Sequence, residues 1–554
     1  MMRLNNFGER IAVCVVLFLI SSGLQAQPTT TTEGTLQILW GDPHPQHASD
    51  GAVRYELVLP NGKTRPLNMK GNENVAIHYF GQQVSVSGIQ TPNLQKIPQT
   101  TNSSVISSAI EVGSISPIHK KQLQADATSG VFGTKKVIYL LLKFSDDTKI
   151  PHPPAFYTNL NNPDTPPAGE MFPSTINDFF KKTSWNQFYW LGDVGGVGGI
   201  GAPGGWITLP HPKSYYANCG WGSVCANVFS ISEDGTALGR AQGINFKNYD
   251  QINFVLSNDL DCCAWGGNYY SSVDAKSYGA TWEPPWGQEA GTYVHEMGHS
   301  LGLPHSGWVY YAYDSPWDMM SMRLAPSSSV CGSYESKNYN SNTISLNCTE
   351  PGNGYIAAHK DYLGWIPAAN VVVTNTLSIV NANLEAGSLP LGSSKKMIKI
   401  CLKGYPCSGP TARYLTIEAR VKGLGISSQY DNGLSGEGII IHEFRGDRAW
   451  PAISGSCFFN AQFGWAKPVD TTPNDFDSQN CNEGGRSYPN YALYNAQLLP
   501  GQTYTDNLNG VKIAVLSRTG STFSVSVRGK FADAIQSMLL GDDCDSVTDT
   551  MCSN

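Results

Sequence analysis

Charged side chains are scarce in this chain of 554 residues. Asp, Glu, Lys and Arg make up only 15% of it, and acidic residues outnumber basic ones by 44 to 37. A formal net charge of −7 does not favour binding to phosphate groups, so nucleic acid is not an expected partner. Low charge together with 57 glycines and 26 tyrosines is typical of extracellular, β-rich proteins.

Long apolar runs are almost absent as well. One run, Ile11 to Ile20, follows Arg3 and Arg10 and precedes a small residue, Ala26. It is far shorter than the roughly 20 residues that a membrane-spanning helix needs. The pattern predicts a signal peptide over residues 1–26. We therefore expect a secreted protein with no transmembrane segment.

Cysteine is absent between Gln27 and Cys219, although the chain has 13 cysteines in all. One lies in the predicted signal peptide, which leaves an even number for disulfide bonds in an exported protein. Because adjacent cysteines do not pair easily, Cys262 and Cys263 are expected to pair with Cys219 and Cys225. Spacing suggests four further local pairs: Cys331–Cys348, Cys401–Cys407, Cys457–Cys481 and Cys544–Cys552.

The hydrophobic pattern changes along the chain and divides it into parts. Short alternating strands over residues 27–130 predict an N-terminal β domain, which is either an inhibitory pro-region or an accessory module. A continuous apolar run at 137–142 is typical of a strand buried on both faces and belongs to a second domain, 131–366. Alternating strands over 367–530 predict a C-terminal β-sandwich, followed by a tail at 531–554.

Two histidines stand four residues apart in a predicted helix. Ala290, Val294, Met297 and Leu301 recur at helical spacing, which indicates an amphipathic helix with one buried face. On such a helix His295 and His299 project from the same side. Their ring nitrogens can therefore bind one metal ion, at about 2.0 to 2.1 Å if the ion is zinc.

The residues after this helix predict a third ligand. Gly302 can adopt the positive φ that ends a helix, and the chain then turns back so that His305 can reach the metal. Three protein ligands leave one position for water, as in catalytic rather than structural zinc sites. Glu296 is placed to take a proton from that water and to pass it to a leaving amine. The pattern predicts peptide-bond hydrolysis that depends on one Zn²⁺ ion.

The whole motif, H-E-x-x-H-x-x-G-x-x-H, resembles that of the metzincin metallopeptidases. Further stretches are similar to the gametolysin and immune-inhibitor-A type of secreted protease: Ser174 to Phe180, Cys263 to Gly267, and Ala358 to Trp365. The resemblance implies a secreted endopeptidase that acts on extracellular proteins. It also implies an α+β fold, in which a twisted mixed sheet with an active-site helix is flanked by an N-terminal β domain and a C-terminal β-sandwich.

The resemblance also implies a methionine turn beneath the metal, for which Met320 is the choice and Met319 the rival. Ser321 follows Met320, so the tyrosine ligand of some metzincins is missing and three protein ligands are expected. Since no cysteine precedes Cys219 in the predicted mature chain, latency enforced by the N-terminal domain would use another group or steric cover.

Ala264, Trp265 and Gly266 are a candidate sheet edge against which a substrate strand binds. The alternative is a loop anchored by a disulfide bond. No loop has ligand spacing that identifies a calcium site, so structural Ca²⁺ stays unassigned.

A second function class is a binding or adhesion protein with a vestigial metal site. The presence of Glu296 favours the enzyme, because a silent relative often lacks its catalytic base.

Overall fold

The computed structural model describes most of the chain between residues 28 and 529. The described residues are 28–43, 52–92, 108–118, 131–162, 175–194, 205–219, 223–306, 315–321, 334–337, 343–346, 353–409, 411–422, 430–431, 433–446, 464–469, 471, 493 and 495–529. The predicted signal peptide and the C-terminal tail lie outside these residues, as do three of the predicted cysteine pairs: Cys331–Cys348, Cys457–Cys481 and Cys544–Cys552.

The first five strands form a closed barrel. They are β1 (Thr29–Pro43), β2 (Ala52–Val58), β3 (Thr64–Asn68), β4 (Gln83–Pro92) and β5 (Ser108–Pro117), with helix α1 (Glu73–Ala76) and a 3-10 turn (Ile77–Tyr79) before β4. Pairing runs in the order β2-β3-β5-β4-β1, and a further pairing of β1 with β2 closes the ring. Alternate residues of β1, Leu36, Ile38 and Trp40, enter one core, as the two-residue period of a strand requires.

Six further strands extend the same sheet. They are β6 (Gly133–Lys143), β7 (Phe188–Val194), β8 (Ile207–Thr208), β9 (Gln251–Leu256), β10 (Cys263–Ser271) and β11 (Lys276–Glu283). Their order is β10-β11-β9-β6-β7, with β8 beside β6. The pairings of β6 with β7 and β9, and of β9 with β11, are parallel, whereas β10 runs antiparallel to β11. The apolar run in β6 is buried on both faces, because Leu140 and Leu141 enter different cores.

Short helices cover the two faces of these strands. They are α2 (Pro154–Asn161), α3 (Ile176–Thr183), α4 (Lys213–Tyr216), α5 (Val228–Ala241) and α6 (Ala290–Ser300), with 3-10 turns at Phe246–Asn248 and Pro285–Gly287. Helix α5 shares a core with Leu140, and helices α3 and α6 share the opposite core with Leu141. Helix α6 therefore packs against one side of the sheet, beside β10 and β11.

Strand β1 joins the barrel to the central strands. It pairs antiparallel with β10 in a register that runs from Leu39 opposite Gly267 to Pro43 opposite Cys263. The edge of β10 would otherwise present unpaired N–H and C=O groups, and β1 satisfies them. Barrel and central strands are thus a single 11-stranded sheet.

The fold class predicted from the sequence is wrong. The prediction was an α+β, metzincin-like domain with a twisted mixed sheet and an active-site helix, flanked by separate β units. The molecule is instead mainly β, with 43% strand and 20% helix, and includes a closed five-stranded barrel. Local patterns do not show which distant strands pair, and the pairing of β1 with β10 is such a contact.

The remaining described strands form two further sheets and a hairpin. The elements are the hairpin strands β12 (Tyr334–Lys337) and β13 (Thr343–Leu346), helix α7 (Ala357–Tyr362), a 3-10 turn (Ala368–Asn370), β14 (Val371–Asn375), β15 (Ile379–Glu385), β16 (Met397–Lys403), β17 (Arg413–Arg420), β18 (Gly438–Arg445), β19 (Ala466–Pro468), β20 (Thr503–Asp506), β21 (Val511–Thr519) and β22 (Thr522–Gly529). One sheet has the order β14-β16-β17-β18-β19 and the other β15-β22-β21-β20. The two sheets share an apolar core that includes Ile417, Ile441, Ile513 and Val525.

Three disulfide bonds are present among the described residues. The predicted bond Cys401–Cys407 is confirmed. The predicted cross-pairing of Cys262 and Cys263 with Cys219 and Cys225 is wrong, because Cys262 pairs with Cys263 and Cys219 with Cys225. Cys219 and Cys225 need no distant partner, since their Cα atoms lie 6.3 Å apart, within the range that a disulfide spans. In the described part of the chain, no helix is long and apolar enough to cross a membrane.

Candidate metal centre

Helix α6 holds the first two histidines of the motif in a buried, well-capped segment. At its start the Glu289 side chain accepts hydrogen bonds from the backbone N–H groups of Gly291 and Thr292, at 2.8 and 2.9 Å. At its end Gly302 has a φ of 85°, which a residue with a side chain rarely adopts. Both ends of the helix are therefore fixed, and the chain turns immediately after it toward His305.

Backbone carbonyls set the orientation of His295 and His299. The Nδ1–H of His295 donates to the carbonyl oxygen of Met319 at 2.7 Å, and that of His299 donates to Leu303 at 2.6 Å. A carbonyl oxygen can only accept, so Nδ1 carries the proton in both rings. The Nε2 atoms are left as the ligand atoms, as in metal sites where an outer hydrogen bond fixes the tautomer.

A fourth side chain, Asp42, meets the three histidines. Its Oδ1 lies 2.8 Å from Nε2 of His305, and its Oδ2 lies 3.3 Å from Nε2 of His299 and 3.5 Å from Nε2 of His295. The Nε2 atoms of His299 and His305 are 3.2 Å apart. Ligands about 2.0 to 2.1 Å from a tetrahedral ion stand roughly 3.3 Å from one another. These four separations match those between ligands of one tetrahedral ion, and the ligand atoms of all four side chains lie within 4.8 Å of one another.

Burial and the proximity of the four side chains shift the pKa values of His299 and Asp42. Burial lowers the pKa of His299 to about 3, against the opposing effect of Asp42, so the imidazole is neutral. Burial also raises the pKa of Asp42, but His305 and His295 outweigh it and hold that pKa well below its usual value. A carboxylate and imidazole nitrogens are ligands that zinc and other divalent transition metals accept. The buried group of Asp42, His295, His299 and His305 could thus hold a metal ion.

Asp42 was missed by the sequence analysis. It lies at the end of β1, between Gly41 and Pro43, and reaches the centre because β1 pairs with β10. Trp40, two residues earlier, stacks on the ring of His299 with 4.8 Å between ring centroids and 3° between planes. The sequence offered one signal, an acidic residue beside a glycine at the end of a predicted strand, but nothing local linked it to the histidine motif.

Glu296 lies between helix α6 and β10 and is fully buried. Gly266 of β10 passes directly over it: a Cβ atom at Gly266 would stand 2.7 Å from Oε2 of Glu296 and 2.5 Å from its carbonyl oxygen. Any side chain at this position would displace the carboxylate. The close approach of strand and helix thus fixes Glu296 beside the histidines that flank it in the helix.

The two methionines of the predicted turn have different contacts. Met320 packs under α6, where a Cβ at Gly298 would overlap its Sδ, and its carbonyl accepts the N–H of Ser306 at 3.2 Å. Met319 supplies the carbonyl that orients His295. Both residues of the turn therefore support the histidine group, and both side chains are buried in the core that the helix shares.

The candidate substrate edge lies inside a paired strand. Ala264, Trp265 and Gly266 belong to β10, and Asp42, Gly41 and Trp40 of β1 are their respective partners. The segment is a strand rather than only a disulfide-anchored loop, although Cys263 at its start is bonded to Cys262. In this state β1 occupies the edge that the sequence analysis assigned to substrate.

A buried polar cluster anchors the methionine turn. Asp318, at the start of that turn, accepts a hydrogen bond from the N–H of Ile356 at 3.1 Å and lies 2.8 Å from Nδ1 of His359 on α7. Burial raises the pKa of Asp318, but His359 more than offsets this and brings it to about 2. His442 on β18 is buried in the same electrostatic group. The cluster connects the turn below the metal centre with the C-terminal sheets.

Among the described residues one other group of metal-ligating types gathers, formed by Asp261, Cys262 and Cys263. Its two cysteines are bonded to each other, so it offers no thiolate. No calcium site is assigned.

The fold and the site together define a mainly β protein with a buried Asp/His₃ group able to hold a metal ion. Neither the family models nor the curated proteins contain a match to this chain.

Proposed function

We propose that the protein is a secreted zinc endopeptidase. The observation that carries the proposal is the convergence of His295, His299 and His305 on one point, with Glu296 on the helix that bears the first two. The metzincin-type motif supports the same activity. Three disulfide bonds among the described residues and the predicted signal peptide support an extracellular location.

Several residues of the site would take separate roles in peptide-bond hydrolysis. The three histidines would hold the ion, and the carbonyls of Met319 and Leu303 keep the Nε2 lone pairs of His295 and His299 available. A zinc ion bound there supplies Lewis acidity, which polarises a carbonyl group and lowers the pKa of water. A carboxylate oxygen of Glu296 takes a proton from the attacking water and returns it to the departing amine. Gly266 allows β10, and a substrate strand along it, to approach this carboxylate.

The test is cleavage of casein by the purified protein, before and after limited proteolysis, with and without 1,10-phenanthroline. Glu296→Gln keeps the shape of the side chain but cannot accept the proton. We expect it to retain metal, measured by mass spectrometry, and to lose activity about 10²- to 10⁴-fold, the usual share of general acid–base catalysis. Equal cleavage by wild type and variant would exclude Glu296 as the base, and cleavage that resists the chelator would exclude the metal.

A second function is favoured by one observation. Four protein ligands with no open position are typical of structural zinc sites, and Asp42 would supply such a fourth ligand. The alternative is a binding or adhesion protein in which a permanent metal ties the barrel to the helix. It predicts no cleavage under any of the above conditions, together with metal that is released only when the protein unfolds.

A further inference from the structure

We infer that the N-terminal barrel is a built-in inhibitor of the metal centre, and that Asp42 acts as its blocking ligand. This inference rests on the proposed peptidase function. In the described state the barrel supplies a strand to the substrate edge and a carboxylate to the metal group. An active form would then arise when β1 leaves β10 and takes Asp42 with it.

The first support is the position of the strand. Residues Leu39 to Pro43 pair antiparallel with β10, the strand that passes over Glu296. An extended peptide that adds to a sheet edge uses the same backbone N–H and C=O groups. Substrate and β1 therefore compete for one edge, and both cannot bind at once.

The second support is the short distance between the Asp42 carboxylate and the three histidines. Both oxygens of Asp42 lie 2.8 to 3.5 Å from the ligand nitrogens of the three histidines. In a tetrahedral site with three histidine ligands, a carboxylate at this distance takes the fourth position. A catalytic site needs that position for water, so Asp42 and catalysis exclude each other.

The third support is the close fit around Asp42. A Cβ atom at Gly41 would stand 2.8 Å from the ring of Trp265, and Trp40 stacks on His299. The side-chain oxygen of Asn268 accepts the N–H of Ile38 at 3.0 Å. These contacts fix the register that delivers Asp42, and they leave no space for a substrate strand beside them.

A second strand of the barrel, β2, also contacts the central part of the protein. Arg54 of β2 is buried and donates to the carbonyl of Ala226 at 2.5 Å. Its guanidinium lies 3.9 Å from Asp261 and 4.2 Å from the ring centre of Trp265. The barrel is therefore docked by directional contacts. Its strands end at Pro117 and the central strands begin at Gly133, so one cut between them would separate the barrel covalently.

The test uses the full chain and four proteins: wild type, Asp42→Ala, Gly41→Ala and the matched control Gly113→Ala. Gly41→Ala displaces β1 by steric overlap without removing the carboxylate. A Cβ at Gly113 meets nothing closer than 3.4 Å, so this variant reports the effect of an alanine in the barrel alone. Circular dichroism checks folding, and metal content is measured for each protein.

The decisive readout is binding of acetohydroxamate, a small ligand for an open metal position, by calorimetry. A tethered carboxylate competes at high effective concentration, so both Asp42→Ala and Gly41→Ala should bind the hydroxamate about 10-fold or more tighter than wild type. In cobalt-substituted protein the visible spectrum should change in the same two variants. Gly113→Ala should behave as wild type in both measurements.

Equal hydroxamate affinity in wild type and both variants would overturn the inhibitor assignment, as would loss of the metal from Asp42→Ala, which marks a structural ligand. If Asp42→Ala alone fails to fold, the hydroxamate affinity of Gly41→Ala decides whether the inhibitor assignment stands.

Casein cleavage separates the inhibitor assignment from the proposed peptidase function. If the two variants bind hydroxamate more tightly but no protein cleaves casein, even after proteolysis, the barrel still blocks the metal position and the peptidase proposal is wrong. Full cleavage by unprocessed wild type would support the peptidase and contradict the inhibitor assignment.

Discussion

At the scale of single residues, the candidate centre depends on the orientation of the histidine rings and on close approach of the backbones around it. Ring orientation comes from backbone carbonyls, since Met319 and Leu303 accept the Nδ1 protons of His295 and His299. Space comes from glycines, since Gly266 lets β10 touch Glu296 and Gly298 makes room for Met320. The candidate metal ligands and the proposed base are thus held by atoms that no motif search would select.

Gly266→Ala tests the placement of Glu296. The added Cβ would meet Oε2 of Glu296 at 2.7 Å and its backbone carbonyl oxygen at 2.5 Å, so the carboxylate and either the strand or the helix backbone must shift. Because a displacement near 1 Å can cost about 10²-fold in rate, we expect kcat of the proposed peptidase, measured after proteolytic activation, to fall by about that factor. Metal content is measured in parallel, because a shift of the helix backbone at Glu296 would also move His295 and His299.

The matched control for this experiment is Gly354→Ala, where a Cβ meets only ordinary contacts at 3.7 Å or more. A loss of metal in Gly266→Ala would indicate that the helix, rather than the carboxylate alone, has moved. Unchanged kcat would remove Glu296 from its assigned position.

At the scale of elements, the turn at 315–321 connects the centre to the C-terminal sheets. Asp318 in that turn lies beside His359 of α7, and His442 of β18 belongs to the same buried group. Burying one carboxylate among imidazoles is costly unless the charges are matched. The turn that orients His295 therefore depends on residues that follow it in the chain.

His442 should make stability depend on pH. Burial lowers its pKa from 6.5 to about 3, against the effect of Asp318 and together with that of His359 and Arg420. Below about pH 6.5 His442 is protonated in the unfolded chain but stays neutral in the folded protein. The free energy of unfolding should therefore fall as the pH drops from 6.5 toward 3. We expect His442→Gln to show a smaller fall over that window, measured by urea unfolding.

The difference between His442→Gln and wild type at pH 8 gives the packing effect alone, because the imidazole is neutral in both folded and unfolded chains there. An identical pH dependence of the two proteins between 6.5 and 3 would show that His442 is not the group that titrates on unfolding.

At the scale of the whole molecule, the metal group joins two parts of the chain. Asp42 comes from the barrel, and the histidines come from α6 and the segment after it. An ion bound by both parts stabilises their contact in addition to the pairing of β1 with β10. Binding to the folded protein alone raises stability by mass action, by about 4 kcal/mol when the ligand is at 1,000 times its Kd.

Metal removal should therefore lower the first thermal transition. We expect 1,10-phenanthroline to reduce the Tm of wild type in scanning calorimetry, and to reduce it less in Asp42→Ala, which has already lost the link to the barrel. The isomer 1,7-phenanthroline, which does not chelate, serves as the control. An equal decrease in both proteins would mean that Asp42 contributes nothing to metal binding.

The sequence by itself determined the local part of this centre. His295, His299, Gly302 and His305 lie within one helix and its following turn, and helical periodicity is a property of neighbouring residues. Glycine at 302 provided the positive φ for the same local reason. The three histidines and Glu296 could therefore be selected, and their convergence expected, without knowing any other part of the fold.

Only the tertiary structure decided the rest. Asp42 and His305 are 263 positions apart, and their contact depends on β1 adding to the edge of β10. Strand pairing of this kind satisfies backbone groups that are the same in every residue, so local sequence carries little information about the partner. The same limit explains the error in fold class. Tertiary pairing closed the first five strands into a barrel and placed an aspartate at the metal centre.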